Sequence, residues 1–571
     1  MYIIRTMNNR ILPLLLFSLF FVLPAHAEGD TTPADLLHWY SIIPPIVAVA
    51  LAFISKRLLI SLGTSIVVGA LLVTINNQSD SLLLNTASAT ANYLIDNVTS
   101  TWNLTVLSFV IVILAMISVV IVSGGLKGLV AHLIPFAKTP RSSKLITALA
   151  GFIVFIDDYA NTMIVGSAMR PITDQYRVSR EKLAFIIDAT SAPVAGLAII
   201  STWIGFEVGL FGDVSQDLSL GKDGYSMFFD ALAFRFYCIL MLAFVIISII
   251  MERDFGPMAI AENRAKLTGE LLASDAQPAT SASFTMIDVA DDINIKARTA
   301  LIPFAVLFST LLIGFWLDGN GSHHIQQNWL SPFSFDAWRD VISNTKNSTT
   351  ILLISAIAGL ISAIVVSIKI SHTPFSSIQL ALWNGVKSSL LPIMILLLAW
   401  SLKSVCDDLN TGKYIVESLS PYMSPLLFPA LLFFVAAITA FGTGTSWGTM
   451  SILIPIAIPL AYELDMQSYG LITIISLGAV LDGAIFGDHC SPISDTTIMS
   501  SIASNCDHLH HVKTQIPYSI VVAVTALLVG YLPAAANLSP IISYGIAVIL
   551  LTIILFKVGK KVSSNAATQR V

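Results

Sequence analysis

The stretch FGDHCSPISDTT, Phe486 to Thr497, places two carboxylates, an imidazole, a thiol and four hydroxyls in twelve residues. On its N-terminal side lies an apolar run, LITIISLGAVL (Leu471 to Leu481), and the next Lys or Arg along the chain is Lys513. Three chemistries compete for so polar a segment in an apolar setting: a metal site, a proteolytic aspartate, and an ion-binding break in a transmembrane helix.

The surrounding composition decides the class. The 571 residues are 55% hydrophobic and only 11% charged, with a mean hydropathy of +0.80. A soluble domain carries about a quarter charged residues, so the chain reads as a polytopic, all-α membrane protein embedded in a lipid bilayer. No basic tract or arginine-rich helix points to nucleic acid. The four cysteines (Cys238, Cys406, Cys490, Cys506) have no CxxC spacing and suggest neither a disulfide framework nor a zinc ribbon. No cofactor is expected.

Arg5 and Arg10 precede an apolar run from Ile11 to Leu23, and Ala25-His26-Ala27 has the small-x-small form of a signal cleavage site. Residues 1–27 are therefore expected to be a signal peptide, with the mature N-terminus outside and the C-terminus in the cytoplasm. Apolar runs at about 38–54, 58–76, 104–123, 183–208, 229–251, 299–317, 349–368, 388–405, 469–503, 515–535 and 540–557 predict about 11 transmembrane helices. Threading them from outside puts 22 of the 30 Lys and Arg on the inner side, as the positive-inside rule requires. The expected membrane is a bacterial-type inner (plasma) membrane. In this threading Arg235 snorkels from a helix end and Glu207 lies at the external interface.

Two more apolar blocks, 145–169 and 427–462, begin and end on the same side. Each is expected to be a re-entrant hairpin, with tips at IDDYANT (Ile156 to Thr162) and FGTGTSWGT (Phe441 to Thr449), the second turned by Gly442, Gly444 and Gly448. The halves also echo each other. ILAM (Ile113 to Met116) matches LLAW (Leu397 to Trp400), ANTM (Ala160 to Met163) matches WGTM (Trp447 to Met450), and ATSAP (Ala189 to Pro193) matches DHCSP (Asp488 to Pro492). The offsets of 284, 287 and 299 residues keep the order, and opposite starting sides make the repeat inverted. The expected organisation is a first repeat at 28–251, a poorly ordered cytoplasmic linker at 252–298, a second repeat at 299–535, and a last helix with its tail at 536–571. Inverted repeats with interrupted helices mark secondary transporters, whose site lies at the midplane between copies.

Pro193 and Pro492 sit inside spans and should break their helices. Backbone groups freed at membrane depth are tolerated only where they line a cavity or bind something. Around the breaks lie Asp188, Thr190, Ser191, Asp482, Asp488, His489, Ser491, Asp495, Thr496 and Thr497. The hairpin tips add Asp157, Asp158, Asn161, Thr443, Thr445 and Ser446. One charged carboxylate at the bilayer centre costs about 2.5–3.5 kcal/mol on insertion scales, and the blocks at 145–169, 183–208, 427–462 and 469–503 contain no Lys or Arg. Oxygen-rich and without fixed positive charge, the set suits a hard cation or a proton. The plainer reading is helix capping, strongest for Asp495 and Thr496 and open for Asp157, Asp158 and Asp488.

A transition-metal reading fails because Asp488, His489 and Cys490 are consecutive and do not share a helical face; His508, His510 and His511 read as surface residues. An intramembrane aspartyl protease needs a Gly-x-Gly-Asp loop and a Tyr-Asp pair. Here Ile485 stands where the first glycine belongs, and Asp158-Tyr159 has the reverse order. No complete catalytic set for an enzyme exists in the sequence.

FIDDYANTMIVGSAMRPITDQYRVSREKLAFIIDATSAP (Phe155 to Pro193) and GAIFGDHCSPISDTTIMSS (Gly483 to Ser501) resemble the two signature regions of the NhaC-type sodium/proton antiporter family. The resemblance implies the ion-transporter superfold, with paired re-entrant hairpins and elevator-like movement. It carries cation binding over to Asp157, Asp158, Asn161, Asp188, Asp488, Ser491 and Asp495. The family also includes carriers of amino acids and small carboxylates.

The expectation is thus a secondary transporter whose partners are sodium and protons, competing for clustered carboxylates. Hydroxyl, amide and freed carbonyl oxygens complete the shell, and His489 is a candidate pH modulator or helix-cap donor. Sodium-coupled uptake of an amino acid or small carboxylate is the alternative, since half-helix N-termini bind carboxylates without Lys or Arg. A homodimer is an open assembly.

Overall fold

Long apolar runs can satisfy their backbone groups inside a bilayer only as helices or closed barrels, and this chain takes the helical solution. The computed structural model describes residues 39–55, 57–77, 81–278, 295–419 and 422–561; the expected signal at 1–27 lies outside them. Among the described residues, nine helices are long and apolar enough to cross a membrane. A bent pair, Gly224–Phe234 with Phe236–Met251, raises this to ten. Not every expected run forms such a helix: the run at 38–54 is covered by the shorter apolar helix Trp39–Ala52, and other runs are interrupted. The run at 183–208, for example, is divided among Arg180–Ala189, Ala192–Ala195 and Thr202–Asp217.

Both hairpins form. The first consists of Pro140–Ile153 and Asp158–Gln175, broken at 154–157; the second consists of Phe428–Thr443 and Ser446–Leu464. Of the three glycines expected to turn the second tip, only Gly444 does so, with φ +70°. Gly442 lies within the helix Phe428–Thr443, and Gly448 within Ser446–Leu464. The two broken helices follow: Arg180–Ala189 interrupted at Thr190–Ser191, and Leu471–Cys490 interrupted at 491–494 before Asp495–Ser504. Pro193 is the second residue of the short Ala192–Ala195 helix, two positions after the break, whereas Pro492 is in the break itself.

Packing gathers the helices into two neighbourhoods. Thr101–Val122 packs on Ser348–Lys369 and on Phe375–Asp408, and Leu58–Asn76 joins them. Phe375–Asp408 has 34 residues, about 51 Å at the helical rise, far beyond the expected run at 388–405. In the other neighbourhood Leu471–Cys490 packs on both arms of the second hairpin, and Asp158–Gln175 packs on Asp495–Ser504 and Arg180–Ala189. Gly483 and Gly487, one helical turn apart, let the second broken helix press on the second hairpin. A Cβ at Gly487 would meet Ala440 Cβ at 2.8 Å, and one at Gly483 would meet Ala436 Cβ at 2.9 Å.

The segment after the first half is better built than expected. Gly256–Thr268 is a helix, and its Glu262 grips the base of the first hairpin and the start of the first broken helix. One carboxylate oxygen accepts from Lys144 at 2.9 Å. The other accepts from the Ser179 amide at 2.9 Å and hydroxyl at 2.8 Å. Residues 279–294 lie outside the described set.

Candidate functional site

Four half-helices start around the polar residues, each capped by an oxygen one position before it. Asp157 caps Asp158–Gln175 by accepting from the Ala160 amide at 2.8 Å. Ser201 caps Thr202–Asp217, Thr445 caps Ser446–Leu464, and Ser494 caps Asp495–Ser504. The capping role therefore falls to Asp157, and in the second broken helix to Ser494 instead of Asp495.

Cross-links tie these starts together. The second Asp157 oxygen accepts from Thr202 Oγ1 at 3.1 Å. Tyr159 donates its hydroxyl to Asp495. Asp488 Oδ2 accepts from Ser446 Oγ at 3.0 Å and from Thr496 Oγ1 at 3.3 Å. Asp158 lies within Coulombic reach of Asp157 and Asp495, and Asp488 within reach of Asp495 and Asp188. Asp158 and Asp488 are buried, at 3% and 2% exposure, while Tyr159 is 37% exposed and Asp495 is exposed. The cluster thus has a closed floor and one accessible wall.

Its charge is unbalanced by side chains. Among the described residues no Lys or Arg pairs with Asp157, Asp158, Asp488 or Asp495. The four helix N-termini supply partial positive charge instead. Asp488 Oδ1 is buried without a hydrogen-bond partner, as are Asn161 Oδ1 and Thr162 Oγ1 near the start of Asp158–Gln175, a costly condition unless something binds there. No three His, Cys, Asp or Glu side chains converge on one point among the described residues. A cation held here would take hydroxyl, amide and carbonyl oxygens beside at most two carboxylates.

Other expected site residues serve elsewhere. Asp188 is buried and saturated: it accepts from Gln515 Nε2 at 2.6 Å and from Thr497 and Ser500 hydroxyls at 3.1 Å each. Asn161 Nδ2 donates to the carbonyls of Gly151 and Thr190 at 2.7 and 2.9 Å, stitching the first hairpin to the first break. Ser491 donates to the Phe441 carbonyl at 2.8 Å, doing the same for the second pair. Thr190, Ser191 and Thr443 bond back to their own helices. His489 spans Tyr237 and the Asp188 carbonyl, at 3.1 and 3.2 Å, and is an internal brace.

Asp482 requires a correction, together with Arg235 and Glu207. Arg235 does not snorkel; it sits in the bend between Leu232–Phe234 and Phe236–Met251, fully buried. Its Nε donates to Asp482 at 2.8 Å, and Glu207, also fully buried, stands 3.6 Å from its NH1. Asp482 further accepts from the Tyr237 amide at 2.6 Å and the Tyr531 hydroxyl at 2.8 Å. It is neutralised inside the protein and is not part of the cluster. The absence of basic residues within the apolar blocks concealed this partner, which arrives from a neighbouring helix break.

Tyr159, Thr202 and Gln515 were not among the expected site residues. Tyr159 adjoins the Asp157-Asp158 pair, and Thr202 marks a further interruption of the 183–208 run, so each left a weak trace in the sequence.

The two signature regions thus meet in space, and the comparison with known proteins agrees with them. The model of the Na+/H+ antiporter family matches residues 194–534. The chain belongs to that family. Among relatives, an uncharacterized protein of Haemophilus influenzae is 29% identical over 535 residues, covering 91% of this chain and 96% of its own. The Na(+)/H(+) antiporter NhaC of Alkalihalophilus pseudofirmus is 26% identical over 160 residues, 27% of this chain and 34% of that protein. The Malate-2H(+)/Na(+)-lactate antiporter of Bacillus subtilis is 26% identical over 188 residues, 31% of this chain and 37% of that one. Members of the Na+/H+ antiporter family are transporters, and the multi-pass helical architecture described above is of that kind.

Proposed function

We propose that this secondary transporter exchanges sodium for protons across a bacterial inner membrane, with the Asp158–Asp488–Asp495 cluster as the place where the two cations compete. The observation that carries this reading is the meeting of carboxylates from the first hairpin and the second broken helix with no Lys or Arg among them. Buried carboxylates repel one another, so each cation that enters relieves a cost that the other would also relieve. Sodium is the transported substrate; Ser446 and Thr496 supply neutral oxygens beside Asp488.

Alternating access is assigned to the hairpins and broken helices moving as one block against the long helices around Phe375–Asp408. The contacts favour this division, because the block is cross-linked internally by Asn161, Tyr159, Ser446 and Ser491. The repeated hairpin-then-broken-helix order suits two inverted halves, with the mature N-terminus outside and the C-terminus in the cytoplasm.

A second reading is coupled transport of a small carboxylate or amino acid. Four half-helix N-termini facing one cluster favour an anionic group, and the Bacillus relative is named for malate and lactate. Proteoliposomes under a sodium gradient separate the two. Internal pH that changes without any solute supports exchange; sodium flux that needs an added carboxylate or amino acid supports coupled transport.

A further inference from the structure

Ser501 sits between two imidazoles. Its Oγ lies 3.1 Å from Nδ1 of His508 and 3.0 Å from Nδ1 of His511. Both rings read as surface residues in the sequence, but His511 is fully buried and His508 half-buried. The pair therefore runs from partly wet to dry, at the start of the helix His508–Ala535.

Neighbouring hydrogen bonds decide which ring nitrogens carry hydrogen. Gln515 Nε2 faces two pure acceptors, Asp188 Oδ2 at 2.6 Å and the His489 carbonyl at 2.8 Å, so its amide oxygen must face His511. That oxygen is 2.9 Å from His511 Nε2, which is accordingly protonated. His508 Nε2 meets the Pro492 carbonyl at 2.7 Å and is protonated for the same reason. Only the two Nδ1 atoms remain, and both point at one hydroxyl. Its single hydrogen satisfies one bare Nδ1, so the other ring must bring a hydrogen of its own and donate to Oγ. The arrangement thus accommodates one excess proton shared by two rings. A hydroxyl turned to the Thr497 carbonyl, 2.8 Å away, accommodates a second.

From this geometry we infer that His508, Ser501 and His511 form a proton relay leading from the water-facing end of this helix to Asp188, behind the carboxylate cluster. In the central step His508 passes its Nδ1 hydrogen to Ser501 Oγ while Ser501 releases its own hydrogen to Nδ1 of His511. One N–H and one O–H bond break, one of each forms, and the positive charge moves from one ring to the other with nothing oxidised or reduced. Asp188 Oδ2, 3.9 Å from His511 Nε2, takes that nitrogen's hydrogen once the ring tilts away from Gln515 and displaces one of the two donors now on that oxygen. His511 is left with its hydrogen on Nδ1, and a flip of the ring resets it. Asp188 is in turn within Coulombic reach of Asp488.

The other ionisable groups packed around the relay are held by partners of their own. His489 is bonded to Tyr237. Arg180 pairs with Asp174, Lys182 with Asp254, and Glu181 with Arg264, and His510 lies 3.8 Å from Asp275. Asp507, beside His508, accepts from the Gln277 and His510 amides at 2.7 and 2.9 Å, and among these groups the two imidazoles are the pair that face each other through one hydroxyl.

The relay rests on the proposed sodium–proton exchange, and two transport modes of the full-length protein in liposomes keep the two ideas apart. Sodium–proton exchange is read from internal pH, and sodium–sodium exchange at fixed pH from radioactive sodium. Ser501→Ala removes the bridge and Ser501→Thr keeps a hydroxyl. The relay predicts that Ser501→Ala slows sodium–proton exchange by about tenfold or more, leaves sodium–sodium exchange at the wild-type rate, and shows a larger solvent deuterium effect than the wild type. Ser501→Thr should recover most of the lost rate. A Ser501→Ala protein that exchanges protons at the wild-type rate, or one slowed equally in both modes, overturns the relay. Wild-type protein that carries sodium without moving protons overturns the exchange reading itself, and the relay with it.

Discussion

Tyr159 donates its hydroxyl to Asp495, a residue 336 positions further along the chain. That bond joins the tip of the first hairpin to the second broken helix along the exposed wall of the cluster. Tyr159→Phe keeps the ring and removes the donor. A hydrogen bond to a charged group contributes about 1.5–3 kcal/mol, so apparent sodium affinity should change by roughly tenfold or more with little change in maximal rate. Sodium titrations of transport in liposomes check this split.

Asp157 and Asp158 are neighbours with different duties. Both oxygens of Asp157 are engaged, by the Ala160 amide and Thr202. Asn is as good a cap as Asp, so Asp157→Asn should retain substantial transport. Asp157→Ala should lose stability by about 1 kcal/mol. Asp158→Asn, by contrast, removes a charge from the cluster and should abolish sodium-driven flux while membrane insertion stays normal. Paired flux and thermal-stability measurements on the three variants test the division.

Arg235 is buried with Asp482 and Glu207. Arg235→Met strands two carboxylates, and breaking a buried pair costs about 3–5 kcal/mol. Melting of the detergent-solubilised protein should fall sharply. Adding Asp482→Leu and Glu207→Leu to Arg235→Met should restore most of the loss, because a matched apolar set carries no desolvation cost.

Gly444 turns the second hairpin with φ +70°, and a Cβ there would come within 2.7 Å of the Ile493 carbonyl. Gly444→Val should therefore cost at least about 1–2 kcal/mol from backbone conformation alone. The clash is aimed at the break that carries Ser494 and Asp495, so transport should fall more than stability does. Comparing flux with melting temperature for Gly444→Ala and Gly444→Val distinguishes strain from displacement.

Much of the fold was legible because a bilayer enforces simple rules. Apolar length marks spans. Prolines and glycines mark the breaks, and helix–break–helix pairs cover the blocks at 145–169 and 427–462. The fine assignment of carboxylates was less legible. Asp157 caps, Asp188 is saturated by Gln515 and two hydroxyls, and Asp482 is paired with Arg235. These fates depend on side chains brought from distant helices, and spacing along one segment carries no trace of them. Lys144, Ser179 and Glu262 make the same point: a polar stretch looks unstructured until its partners are in place.

The central claim is that carboxylates from the first hairpin and the second broken helix share one cation site for which sodium and protons compete. Equilibrium binding of radioactive sodium to purified protein across a pH series tests it most directly. The account predicts that apparent affinity weakens as pH falls, by about tenfold per pH unit where one proton competes, and that Asp158→Asn and Asp488→Asn each remove binding. Binding that is independent of pH, or that survives in both variants at wild-type affinity, would contradict it.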